Sequence, residues 1–153
     1  MNLKILNKNE RQEIIRDLDK QFGIKEIPGL IFTLGGERLF LFSGNFTEKQ
    51  IKKLANIAPI ERLGVYFAKQ EVGYMRLSIE GTQILKDQIT KNIFELTESQ
   101  VEEWMMGREL NLKPKQKGFV VMKYKDDFLG CGKASAEKIG NFIPKNRRLR
   151  EKA

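Results

Sequence analysis

Phe119-Val120-Val121-Met122-Lys123-Tyr124, a turn at Lys125-Asp126-Asp127, and then Phe128-Leu129-Gly130-Cys131-Gly132-Lys133 form the stretch around which the second half of the chain is organised. Two short runs rich in apolar and β-branched residues, broken by a polar turn, predict an antiparallel hairpin. The glycines at 130 and 132 weaken the second strand unless something requires them. Two residues apart on a strand, they mark a bulge or a close backbone approach, either by a neighbouring strand or by a ligand backbone. The pair is not a dinucleotide fingerprint, since no third glycine and no following helix accompany it, and phosphate-loop spacing is absent as well.

Upstream of this hairpin, Asn92 to Leu96 reads as a strand. Thr97-Glu98-Ser99-Gln100 has capping-box spacing and opens a helix carrying Val101, Trp104 and Met105, which Gly107 ends. Downstream, a turn near Ala136-Glu137-Lys138 leads to a strand from Ile139 to Ile143, then Pro144 and a basic end.

The first ninety residues show a different pattern. A helix is expected from about Asn9 to Gln21, with Asn9 as N-cap, an apolar stripe at Ile14, Ile15, Leu18 and Phe22, and Gly23 at its end. Leu30–Leu34 and Arg38–Phe42 form a hairpin around Gly35-Gly36. Thr47-Glu48-Lys49-Gln50 starts a second helix that turns Ile51, Leu54 and Ala55 inward. Strands follow around Val65 to Phe67 and from Tyr74 to Ile79, and a short helix over Gly81–Gln88 buries Ile84 and Leu85. The fold class is therefore α+β: a small antiparallel-sheet α+β domain over residues 1–90, and a second domain over 91–153. Because no Gly/Ser-rich linker separates them near residue 90, the two are expected to pack together.

Charge divides the chain at nearly the same place. Residues 1–107 hold 15 basic and 15 acidic side chains, whereas residues 108–153 hold 13 basic against 5 acidic, so the whole net charge of +8 lies after Gly107. A basic segment on a neutral carrier suits a polyanionic partner, because lysine and arginine displace counterions from phosphate. The alternative is a solvated basic surface that aids solubility. Lys113, Lys115 and Lys117 alternate, so an extended segment would turn all three to one side. Lys145, Arg147, Arg148 and Arg150 form a second cluster, with guanidinium forks suited to phosphate. Tyr124, between Lys123 and Lys125, is the best-placed aromatic for stacking on a base. Phe94, Trp104, Phe119, Phe128 and Phe142 fall mostly on core-facing positions.

Composition narrows the chemistry. With 41% hydrophobic and 31% charged residues, the chain reads as a soluble globular protein. It has no histidine and one cysteine, so neither a zinc cluster nor a disulfide framework is expected, and no metal or cofactor is implied. No run is apolar for the roughly 18 residues a membrane helix needs, and Met1 to Leu6 lack a signal-peptide core. A cytoplasmic protein without a membrane partner is expected. Cys131 is either a buried thiol or a nucleophile activated by Lys133. A metal- or cofactor-dependent enzyme would have to draw on Asp126, Asp127 and Lys133.

The second half resembles a known family. The strand, the helix Leu96-Thr97-Glu98-Ser99-Gln100-Val101-Glu102-Glu103-Trp104 ending at Gly107, the hairpin, and Asn141-Phe142-Ile143-Pro144-Lys145-Asn146-Arg147-Arg148 together resemble a PUA domain, the RNA-binding module. Leu-Gly-x-Gly-Lys followed by Asn-x-x-Pro-Lys is most similar to the PUA-like tail of Sun/Nop-type RNA 5-methylcytosine methyltransferases. The overall layout is similar to archaeal and eukaryotic ribosome-biogenesis proteins of the Nip type, the first half by architecture alone. The resemblance implies a β pseudo-barrel that grips structured RNA along the first helix, the following loop and the last strand. Here those positions are Gly107, Arg108, Lys113, Lys115, Lys117, Lys145, Arg147 and Arg148, and Lys133 of the Leu-Gly-x-Gly-Lys stretch is a further RNA-binding candidate. A methyltransferase of that family also needs a nucleotide-binding α/β domain and upstream catalytic cysteines, and this sequence shows neither. The expectation is a non-catalytic protein acting on rRNA or tRNA, whose first domain docks a protein partner or orients the RNA, or an RNA-binding accessory subunit of a separately encoded methyltransferase.

Overall fold

The structure, a computed structural model, describes residues 3–42, 44, 47–59 and 64–150. Two sheets organise them. The first is antiparallel throughout, in the order β1 (Lys4–Ile5), β2 (Leu30–Thr33), β3 (Arg38–Phe42), β4 (Val65–Glu71) and β5 (Tyr74–Leu77). The short β1, which no periodicity announces, pairs Lys4 with Thr33 and Ile5 with Phe32.

Helix α1 (Lys8–Phe22) begins two residues earlier than an N-cap at Asn9 would place it. Asn7 is the N-cap: its side chain accepts the Glu10 amide at 2.9 Å, and Glu10 accepts the Asn7 amide at 3.1 Å. This reciprocal box satisfies two otherwise orphaned donors, which a cap at Asn9 would leave open. Gly23 closes the helix in the left-handed conformation expected of it. Ile14, Leu18 and Phe22 are buried as the stripe requires.

Helix α2 (Glu48–Ala55) has the Thr47/Gln50 capping box and buries Ile51, while Leu54 and Ala55 are half-buried. Ile79 begins helix α3 (Ile79–Ile84) instead of ending a strand, because the Ser78 hydroxyl accepts the Gly81 amide at 3.0 Å and caps it. Leu85 is buried, but Ile84 is 42% exposed: Thr82 and Leu85 take the inward face.

The second sheet runs β6 (Ile93–Glu95), β7 (Gly118–Tyr124), β8 (Asp127–Ala134) and β9 (Ile139–Asn141). Strand β6 is parallel to β7, the crossover being made through α4 (Glu98–Met105), and the remaining pairs are antiparallel. A bridge between Leu110 and Ile139 gives β9 a neighbour on its other side. Strand β9 stops at Asn141, short of Ile143, because the Asn141 side chain accepts the Ile143 amide at 2.8 Å and turns the chain. Trp104 sits at the centre of this half, fully buried among Leu96, Leu110, Val120, Met122 and Ile139.

The two sheets share a core. Phe119, Val121, Phe128 and Cys131 of the second are buried in one cluster with Phe22, Phe67, Met75 and Leu85 of the first. The expected packing of one half on the other is therefore present, and it is apolar.

Candidate nucleic-acid interface

The basic face begins on the connection between α4 and β7. Lys113, Lys115 and Lys117 are exposed, while Leu112, Pro114, Gln116 and Gly118 are half-buried, so the alternation read in the sequence holds in space. Gln116 fixes the segment by donating to the Ile93 carbonyl at 2.9 Å. Among the described residues none of the three lysines has an ion-pair partner, which leaves their charge available to an anion.

Lys133 is exposed on β8, opposite Phe119 in the ladder, with its ammonium 5.9 Å from the Phe119 ring centroid. Lys145 is exposed in a short 3-10 turn, Lys145–Arg147.

The arginines behave differently. Arg108 lies against Glu103 in a two-pronged contact at 2.8 and 3.0 Å. Arg147 pairs with Glu80 of α3, joining the tail to the first half. Arg148 donates to the Ile143 carbonyl at 2.9 Å and covers Gly107. The tail is also held by the Leu149 amide, which donates to the Met105 carbonyl at 2.7 Å. Arg147 and Arg148 thus fasten the C-terminal segment as well as presenting charge.

Asn141 completes that end of the site. Its amide donates to the carbonyl of Trp104 at 2.8 Å, which also accepts the Gly107 amide, and to that of Arg108, just past α4, at 2.9 Å. The Asn of the Asn-x-x-Pro-Lys stretch is therefore a clasp between α4 and β9.

The two glycines of Leu-Gly-x-Gly-Lys have separate jobs. Between the pairs Val121↔Cys131 and Lys123↔Phe128, two residues of β8 oppose one of β7, and Gly130 lies in this bulge with φ +83°. Gly132 is a close approach: a Cβ there would stand 2.5 Å from Ile139 Cγ2 and 2.7 Å from Trp104 Cη2. Both alternatives left open by the sequence are realised, one at each glycine, and the close neighbours of Gly132 are the Ile139 and Trp104 side chains and the Gly140 carbonyl of the adjacent strand.

Cys131 is buried, and burial pushes its thiol up to about 12, away from the thiolate a nucleophile needs. Asp126 and Asp127 lie at the β7–β8 turn, whereas Lys133 is near the far end of β8. Six residues of extended strand separate Asp127 from Lys133 by about 20 Å, so these three side chains do not converge. Among the described residues no three His, Cys, Asp or Glu side chains are grouped to hold a metal ion. No helix among them is long and apolar enough to cross a membrane.

Tyr124 is half-buried against the Trp104 cluster with Lys125 5.3 Å from its ring centroid. Phe142, one of the aromatics expected mostly to face the core, is 38% exposed. Beside it a cleft of about 80 Å³ between the sheets is lined by Tyr66, Arg76, Ser78, Phe142 and Arg147, among others. Burial raises the Tyr66 phenol pKa. Arg76 was not singled out by sequence reading; it belongs to the neutral half, and only the packing of the sheets brings it to Phe142.

Residues 91–149 match the family model described as the methyltransferase RsmF PUA domain. Over these residues the chain resembles a PUA domain of the RsmF type. The curated relatives agree. Ribosomal RNA small subunit methyltransferase F of Aeromonas salmonicida is 27% identical over 139 residues, covering 89% of this chain and 27% of the relative. The same-named protein of Aeromonas hydrophila is 28% identical, with 89% and 27% covered, and that of Photobacterium profundum is 28% identical, with 86% and 29% covered. This chain thus spans little more than a quarter of these relatives' length. Since the alignments cover nearly nine-tenths of it, the similarity extends through much of the first half, where sequence reading found architecture alone. These relatives are bacterial, which corrects the archaeal leaning of the Nip-type likeness.

Proposed function

We propose that this chain is a non-catalytic RNA grip acting on rRNA or tRNA during its maturation or modification. Residues 1–90 and 91–153 serve as two domains of one unit. The observation that carries the reading is the alternation of Lys113, Lys115 and Lys117 on one exposed face of the part that resembles a PUA domain of the RsmF type, without ion-pair partners among the described residues. Three cations spaced along an extended segment match the phosphates of a nucleic-acid backbone. Lys133 and Lys145, both exposed, would add to this grip, together with Gly107, Arg108, Arg147 and Arg148 at and beyond the end of α4. The buried, neutral Cys131 supports a binding role over covalent catalysis. The relatives' names point to small-subunit ribosomal RNA as the first RNA to try.

The test is fluorescence-anisotropy binding to structured rRNA and tRNA fragments across a salt series, for the wild type and the Lys113→Gln/Lys115→Gln/Lys117→Gln variant. Arg147 and Arg148 stay in place because each holds the tail. Loss of three phosphate contacts lowers the log–log salt slope by about two units, at roughly 0.7–0.9 per contact. Unchanged affinity and slope, with circular dichroism unaltered, would remove this face from the account.

A second reading is that the chain supplies RNA grip to a separately encoded RNA methyltransferase, a reading suggested by the relatives' names. A stable complex with such an enzyme, formed through residues 1–90, would select it.

A further inference from the structure

Tyr74 of β5 and Phe142, just beyond β9, stand on the seam between the sheets, 54% and 38% exposed. Between them lies the buried Phe119, meeting Tyr74 edge-on at 6.3 Å and Phe142 at 5.8 Å between ring centroids. Val72, 97% exposed at the β4–β5 turn, lengthens the strip. The three rings hold one another in place, so little side-chain freedom is left to lose when something covers them.

Cations frame this strip. The Arg76 guanidinium lies 4.2 Å from the Phe142 centroid, and its buried Nε has no hydrogen-bond partner. Glu71, 3.6 Å from that Nε, is shared between Arg76 and Lys69. Lys133 borders both open hollows that flank Phe142: one of about 360 Å³ beside Tyr74, the other of about 390 Å³ beside Gly140. The lysine segment leads here too, for Lys117 precedes Gly118, and the Tyr74 ring lies 3.7 Å from where a Gly118 Cβ would be.

We propose that Tyr74 and Phe142 form a stacking platform for an unpaired nucleobase at a single-stranded end of bound RNA, with Lys133 on the adjoining phosphate. Flat rings beside free cations suit a base and its phosphate, since every base has a π-face and an anionic link. Arg76 holds Phe142 through its cation–π contact. Duplex RNA, whose bases are already stacked, gains nothing from this platform.

The inference rests on the RNA-binding reading, so its test compares one RNA hairpin made blunt with the same hairpin carrying a short unpaired uridine tail. The wild type should bind the tailed form roughly five- to a hundred-fold more tightly, the range for base–aromatic stacking. Tyr74→Ser and Phe142→Ala should each reduce that preference while leaving blunt-hairpin affinity unchanged, and Tyr74→Phe should keep it. Because Phe142 also packs on Phe119, a direct readout is added: in a Tyr74→Trp variant the tailed RNA, but not the blunt one, should quench the new indole emission. Equal wild-type affinity for both hairpins, or equal loss of both in Tyr74→Ser, overturns the platform and leaves the RNA reading standing. Absence of binding to either hairpin overturns the RNA reading itself. Binding of a protein at Tyr74 with no tail preference would make the strip a protein-docking face and refute the proposal.

Discussion

The Thr82 hydroxyl accepts the Gly130 amide at 3.1 Å, 48 residues away in the chain, and donates to the Ile79 carbonyl at 2.7 Å. Thr82 is fully buried. The bulge in β8 removes Gly130 from the ladder, and α3 supplies the acceptor the ladder no longer provides. The contact couples the two halves through a single side chain.

Replacing Thr82 by Val keeps its shape and removes the acceptor, stranding the Gly130 amide. Stability should fall by about 1–3 kcal/mol, the cost of a buried unsatisfied donor, with Thr82→Ser losing less. Urea denaturation of the three proteins checks this ordering.

Gly132→Ala places a methyl group against Trp104 and Ile139. Overpacking of this kind costs about 1–3 kcal/mol, and the emission of Trp104, the single tryptophan, should shift with it. A variant as stable as the wild type, with unchanged emission, would show that the sheet relaxes freely at this point.

Gly107→Ala meets two obstacles: φ is +88°, and the new Cβ falls 2.3 Å from Arg148 Nε. The left-handed conformation alone costs about 1–2 kcal/mol, and Arg148 must leave the end of α4. Trypsin should then cleave the released tail at Arg147 and Arg148 faster than in the wild type, a change that limited proteolysis reads directly.

The Cys131 thiol is raised from the ordinary 9.0 to about 12 by burial. Its neutral form is thus favoured by folding. This contribution to stability is fully present below pH 9.0, the unfolded value, and is lost as pH rises towards about 12. Iodoacetamide should label the native protein only as fast as it opens, and labelling should become rapid in urea. Fast labelling of the native state would contradict the burial of this residue.

Much of the local structure was legible in the sequence. The Thr47/Gln50 and Thr97/Gln100 boxes, the Gly23 and Gly107 helix ends and both hairpins lie where spacing and turn chemistry put them. The misplaced cap at Asn9 shows the limit of that signal, since Asn7-x-x-Glu10 and Asn9-x-x-Gln12 look alike until the backbone selects one. Ile84 is expected in the core, and Phe142 belongs to a group of aromatics expected mostly to face it, although burial depends on which neighbours arrive.

For the candidate interface, the sequence by itself determined the charge asymmetry and the alternation of Lys113, Lys115 and Lys117, because an extended segment turns every second side chain the same way. Only the tertiary structure decided that Arg147 spends its charge on Glu80 and that Arg148 covers Gly107. It likewise decided that Arg76 and Tyr74 of the first sheet meet Phe142 and Phe119 of the second. Periodicity, caps and turns are short-range effects written in neighbouring residues. Which faces meet depends on burying apolar surface that is scattered along the chain, and here that is the cluster to which both sheets contribute.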